Sequence, residues 1–313
     1  LRCLPLCFVA VSQLCFSRVA QAVCWQAEYA LEAIQAREKA RGVRPADRTR
    51  IFLPKSVAPK AVALALHGLN HKPSSMDEIA GELADQGIAV VRGGLSGHGG
   101  DFQAILSVSR EIWQNETHSS WCLAKELATP AGLPVFGVAF SLGALQITDL
   151  VTNPEYSDVE FSRVVMLAPA ISIRWYPNFM RILRPFPKMV IPSVVRPEIR
   201  ANRSGTSGAA YTAMFDSVDA VESKGIQSVP FPALILMDRD DEVVSDTGTE
   251  ALVAARPKHD WKIEFMRAGD DATLPASHHS IFESRLVGKT IWRGMMDRSV
   301  AFLLGTNQGT IRF

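Results

Sequence analysis

The residues Ala139-Phe140-Ser141-Leu142-Gly143 set a serine between a continuous apolar run, 134–140, and an apolar helical stretch, 144–150. A chain that turns this sharply from strand to helix crowds the positions two before and two after the apex, so both must be very small. Ala139 and Gly143 meet that demand, and the apex hydroxyl, Ser141, is expected to stand exposed at the sheet's edge. The helix N-terminus beneath it favours developing negative charge. Such a hydroxyl can attack an acyl group if a base and an acid reach it from elsewhere in the chain. Candidates lie downstream in the acidic run Asp238, Asp240, Asp241, Glu242 and in the adjacent histidines His278 and His279. His71, His118 and His259 are not placed to serve as the base. No zinc-binding motif is read from the sequence, and no metal and no cofactor are assigned.

Elements that could position these groups follow from the apolar pattern. Runs at 61–66, 88–91, 134–140, 164–167, 233–237 and 261–266 are short, and most are continuous rather than alternating. Burial on both faces requires that pattern, so they read as strands of a mostly parallel, doubly wound sheet sandwiched by helices, an α/β class. Helical patterns fall between them, at 28–41 with Gly42 as its stop, at 75–86 with Ser74 or Ser75 as N-cap, and at about 107–129. From about 171 to 230 the alternation stops. That stretch has many prolines and the aromatics Trp175, Tyr176, Phe179, Phe186 and Tyr211, and reads as a mostly helical insertion over the C-terminal edge of the sheet.

Composition sets outer bounds. Charged residues are 21% and hydrophobic ones 47% of the 313 residues, as in a folded globular protein. With 33 Lys and Arg against 32 Asp and Glu, and no basic stripe, nucleic acid is excluded as an expected partner. Arg2 precedes an apolar stretch, 3–16, and Ala20-Gln21-Ala22 offers the small residues that a signal peptidase accepts. Residues 1–22 therefore read as a secretory signal peptide, followed by one domain over 23–313, and the protein as secreted or periplasmic. The apolar run falls short of the about 20 residues that a membrane span needs. Cys3, Cys7 and Cys15 lie within it, leaving Cys24 and Cys122. A bridge between these two would close a loop of about 100 residues and stabilise the fold by roughly 4 to 5 kcal/mol in the chain-entropy model. Two unpaired thiols are the alternative.

The elbow, together with His67-Gly68-Leu69 after the first long strand and Leu95-Ser96-Gly97-His98-Gly99 after the next, resembles the α/β-hydrolase family, its esterases and acylglycerol lipases in particular, over about residues 50–304. The family's G-x-S-x-G is met with Ala139 in place of the first glycine. The resemblance implies an oxyanion hole made by the amides of Leu69 and Leu142, with His67 and His98 bracing their loops. It also implies the chain order Ser, then acid, then His. The family's spacing of an acid two residues before a β-branched residue selects Asp241, with Asp240 as runner-up and Asp238 as a turn former. For the base both neighbours fit, and spacing favours His278 over His279. The implied activity is hydrolysis of carboxylic esters, small-molecule or lipid, with a hydrophobic acyl group, through an acyl-enzyme. A thioesterase, a peptidase or a non-catalytic binding protein on the same fold are the alternatives.

Overall fold

The computed structural model describes Cys24 and residues 27–175, 177–193, 195–256, 260–274 and 277–306. The expected signal peptide, 1–22, lies outside the described residues, as do Tyr176 and His259. A seven-stranded sheet forms the centre, in the order β1 (Arg50–Phe52), β3 (Ile88–Arg92), β2 (Ala61–Leu66), β4 (Val135–Phe140), β5 (Arg163–Leu167), β8 (Ala233–Met237) and β9 (Trp261–Phe265). Only β1 runs antiparallel to its neighbour.

The continuous apolar runs are explained by the two cores that the sheet separates. Along β2, Val62, Leu64 and Leu66 enter one core, which is closed by α4 (Arg110–Ala128), α5 (Leu142–Thr152) and α6 (Gly208–Lys224). Ala61, Ala63 and Ala65 enter the other, closed by α2 (Asp77–Asp85) and α9 (Lys289–Leu304). Side chains alternate faces along a strand, so two cores demand apolar residues at every position. The strand at 50–52 escapes this pattern because it is a three-residue edge strand with Arg50 exposed.

Two helix boundaries and one stretch depart from the sequence reading. Neither Ser74 nor Ser75 caps α2, because the Ser74 hydroxyl donates to Asp47 (2.7 Å) and that of Ser75 to the Lys72 carbonyl (2.6 Å). A 3₁₀ turn, Pro73–Met76, precedes the helix instead. The helix expected over 107–129 begins later, at Arg110, where Ser109 accepts from the Ile112 amide. Within 171–230 the chain forms a 3₁₀ helix, Pro177–Leu183, and an antiparallel ribbon of two-residue strands, β6 (Val190–Ile191) and β7 (Thr206–Ser207), before α6. Strands that short leave no periodicity to read. α6 packs against α5 and buries Phe215, so the last part of the stretch belongs to the helical layer of the sheet.

The first part reaches the site. Ala201 donates to the Asn70 carbonyl (2.7 Å), Asn202 to the Asn70 side chain (2.9 Å), and Lys72 to the Ile199 carbonyl (3.1 Å). On its outer side Trp175, Phe179, Ile182, Phe186 and Met189 are exposed. A disulfide joins Cys24 to Cys122 on α4. No helix among the described residues is long and apolar enough to cross a membrane.

Candidate active site

Ser141 stands between the end of β4 and the start of α5 with φ 50° and ψ −111°, a conformation costly for any residue but glycine. Its neighbours show why the elbow needs small residues. A Cβ on Gly143 would sit 2.6 Å from the backbone oxygen of Leu66, and Ala139 is fully buried. The turn is held by Ser141 donating its amide to the Leu167 carbonyl (2.9 Å) and accepting at its carbonyl from Ala170 (3.2 Å).

The Ser141 hydroxyl meets His279, whose Nε2 lies 2.9 Å from Oγ. The Nδ1 of the same ring lies 2.8 Å from Oδ2 of Asp241. A carboxylate only accepts, so Nδ1 carries the proton and the Nε2 lone pair faces the hydroxyl. Asp241 is fully buried in the loop that follows β8, and its other oxygen accepts from the amides of Val243 (2.7 Å) and Val244 (2.8 Å). Ser141 is only 5% exposed, which departs from the open hydroxyl that the sequence suggests. The His279 ring stands against the hydroxyl, and residues 199–202 fold beside the adjoining loop.

His278, which spacing favoured, occupies a different place. Its Nδ1 pairs with Asp238 (2.9 Å), and its side chain is 42% exposed, against 8% for His279. The two oxygens of Glu242 accept from the amides of His278 and His279, both at 3.1 Å. Three carboxylates of one loop thus orient both histidines. The role of Glu242 has no signature in spacing, because backbone amides bear no sequence mark. Asp238 also accepts from the Asp240 amide (2.9 Å), as a turn former does, while Asp240 pairs with Arg267.

Leu142 opens α5, so its amide has no carbonyl one turn back. The loop bearing Leu69 is fastened on two sides. His67 donates from Nδ1 to the Gly68 carbonyl (2.9 Å) and accepts at Nε2 from the Leu95 amide (3.1 Å). His71 donates from Nδ1 to the Leu69 carbonyl (2.9 Å), and its ring packs edge-on to Phe140 and Phe282. Burial, reinforced by the charge of His279, lowers the His71 pKa to about 3. It therefore stays neutral near the His279 ring. His98 donates to the carbonyls of Leu95 (3.2 Å) and Ser96 (3.1 Å), and burial lowers its pKa to about 4.

The arrangement can remove a proton from a serine hydroxyl. Residues 57–209 match the family model described as Hydrolase_4, serine aminopeptidase, S33. No curated protein gives a significant match. Among solved structures, the chain is similar to one described for LipS and LipT, metagenome-derived lipolytic enzymes (18% identity, TM-score 0.65, 84% of this chain and 99% of that one). It is similar to a soluble variant of monoglyceride lipase from Saccharomyces cerevisiae bound to a substrate analogue (13% identity, TM-score 0.68, 83% and 92%). A third is a monoacylglycerol lipase from Paleococcus ferrophilus (16% identity, TM-score 0.58, 81% and 98%).

Proposed function

We propose that this chain, which has the α/β-hydrolase fold, cleaves carboxylic esters with a hydrophobic acyl group, using Ser141 as nucleophile, His279 as base and Asp241 as the acid that orients it. One observation carries the reading: a single imidazole bridges Ser141 Oγ (2.9 Å) and Asp241 Oδ2 (2.8 Å) with its two nitrogens. His279 takes the hydroxyl proton as Oγ attacks the carbonyl, and the buried carboxylate of Asp241 stabilises the imidazolium. The amides of Leu69 and Leu142 receive the oxyanion, and each such donor contributes about 3 to 4 kcal/mol in transition states of this type. The imidazolium then protonates the departing alcohol, and water repeats the attack on the acyl-enzyme with the same base.

The acyl preference rests on the exposed apolar residues Trp175, Phe179, Ile182, Phe186 and Met189 of the 171–230 stretch, and on lipase names among the structural relatives. We place the protein in a secreted or periplasmic setting, a reading supported by the Cys24–Cys122 disulfide, which persists in oxidising compartments. The peptidase name of the family model favours one second reading, amide hydrolysis.

The test is hydrolysis of p-nitrophenyl esters of increasing chain length, set against matched anilides and thioesters. Ester turnover that rises with acyl length and falls by roughly 10⁴-fold or more in Ser141→Ala is expected. Undiminished turnover in a folded Ser141→Ala removes the nucleophile, and anilides cleaved faster than esters move the protein to the peptidase reading.

A further inference from the structure

Away from Ser141, the disulfide is embedded in a set of side chains that it does not need. His118 and Cys122 lie one turn apart on α4, and His118 Nε2 is 3.5 Å from Cys122 Sγ. The same Nε2 is 3.6 Å from Asp158 Oδ2, and that oxygen is 3.8 Å from Cys24 Sγ. Cys24, His118 and Cys122 present their ligand atoms within 4.8 Å of one another. The rings of Tyr29, Trp121 and Tyr156 enclose the imidazole.

Three of these separations match edges of a metal tetrahedron. Bonds of about 2.3 Å to sulfur and about 2.0 to 2.2 Å to nitrogen and oxygen, at tetrahedral angles, put neighbouring ligand atoms about 3.4 to 3.8 Å apart. Three edges already have that length. The edge between the sulfurs is too short, because they are bonded to each other. Breaking that bond lets this edge widen to about 3.8 Å, the spacing of two thiolates on zinc.

We propose that Cys24, Cys122, His118 and Asp158 form a site for a zinc-like divalent cation that the disulfide closes and its reduction opens. Reduction adds two electrons and two protons to the sulfur–sulfur bond, supplied by a dithiol that leaves as its own disulfide. In the test tube a phosphine serves, leaving as its oxide with oxygen from water. The two thiols release their protons to solvent as they bind the cation, and the imidazole and the carboxylate complete four ligands. A cavity of about 200 Å³, lined by Cys24, Cys122, Lys125 and Glu126 among others, gives access to the sulfurs. In either state Cys24 stays fastened to α4.

Cobalt(II), added without oxygen to the full chain reduced by a phosphine, tests this. One equivalent should bind with the intense visible bands of tetrahedral cobalt and a near-ultraviolet sulfur-to-cobalt band, and the oxidised chain should show neither. His118→Ala keeps the disulfide and should weaken binding by at least roughly 10-fold, and Asp158→Asn should weaken it too. Cobalt held on Asp238, Asp240 and His278, the other cluster of metal-ligating side chains among the described residues, would give no sulfur band. Absence of that band in the reduced chain, or equal affinity in His118→Ala, overturns the proposal. Circular dichroism guards against loss of fold: a reduced chain that unfolds and is not restored by the metal overturns it as well.

Discussion

Two adjacent histidines, each with its Nδ1 on an aspartate of the same loop, differ in what the second nitrogen meets. His279 Nε2 faces Ser141, whereas the ring of His278 pairs with Asp238 and is partly exposed. Substituting His279 by Ala should therefore lower kcat by roughly 10³-fold or more, and His278→Ala by less than about 10-fold, read as turnover of a p-nitrophenyl ester. Equal losses would mean that the pair acts as a unit. Spacing along the chain could not separate them, because a turn bearing two histidines offers both registers and the deciding carboxylates lie about 40 residues earlier on another loop. The elbow serine was legible for the opposite reason. Its requirement is local: Ala139 and Gly143 carry the steric demand of the elbow within five residues of chain.

At the scale of elements, the elbow works because two strands approach it closely. A methyl on Gly143 would meet the Leu66 carbonyl, which is main chain of β2 and cannot swing aside as a side chain can. Gly143→Ala should thus displace the start of α5, and with it the Leu142 amide. Activity is expected to fall by roughly 10²-fold, the cost of one misplaced oxyanion donor, and stability by about 1 to 3 kcal/mol from overpacking. Matched kinetics and thermal melts check both, and a variant with unchanged turnover would show that the strand yields. The runs at β2, β4, β5 and β8 could be read to within about a residue, because burial on both faces writes itself as unbroken apolarity. Elements that depend on partners could not. β1 exists by pairing with β3, the ribbon β6–β7 is too short to show a period, and α2 starts where Ser74 and Ser75 have given their hydroxyls to other groups. His118 and Cys122, four apart on a helix, did carry a readable metal-ligand spacing, but only as a mixed pair, and Cys24 and Asp158 complete it from far along the chain.

Over the whole molecule, the loops around the site are braced by neutral histidines taken out of water, and this couples stability to pH. His67, His71 and His98 are all buried, and burial lowers each pKa, to about 3 for His71 and about 4 for His98. An unfolded histidine binds its proton near pH 6.5, so between there and the folded value the unfolded state holds more protons. Stability from such a group is complete above about pH 6.5 and is lost as pH falls toward the folded pKa. Glu38, Glu116 and Asp149 act with the opposite sign, since desolvation holds their carboxyls above the usual range. The total profile therefore mixes both, and a difference measurement isolates one group. His98 suits it, because backbone carbonyls are its hydrogen-bond partners and burial is the main cause of its shift. In His98→Asn the amide can still donate to those carbonyls but cannot titrate. The stability of the wild type relative to this variant should then drop as pH falls from about 6.5 to about 4, with a slope approaching 1.4 kcal/mol per pH unit, and stay level above pH 7. Denaturant melts of both proteins across that range provide the measurement, and a gap that does not change with pH would mean that the buried ring is not held neutral.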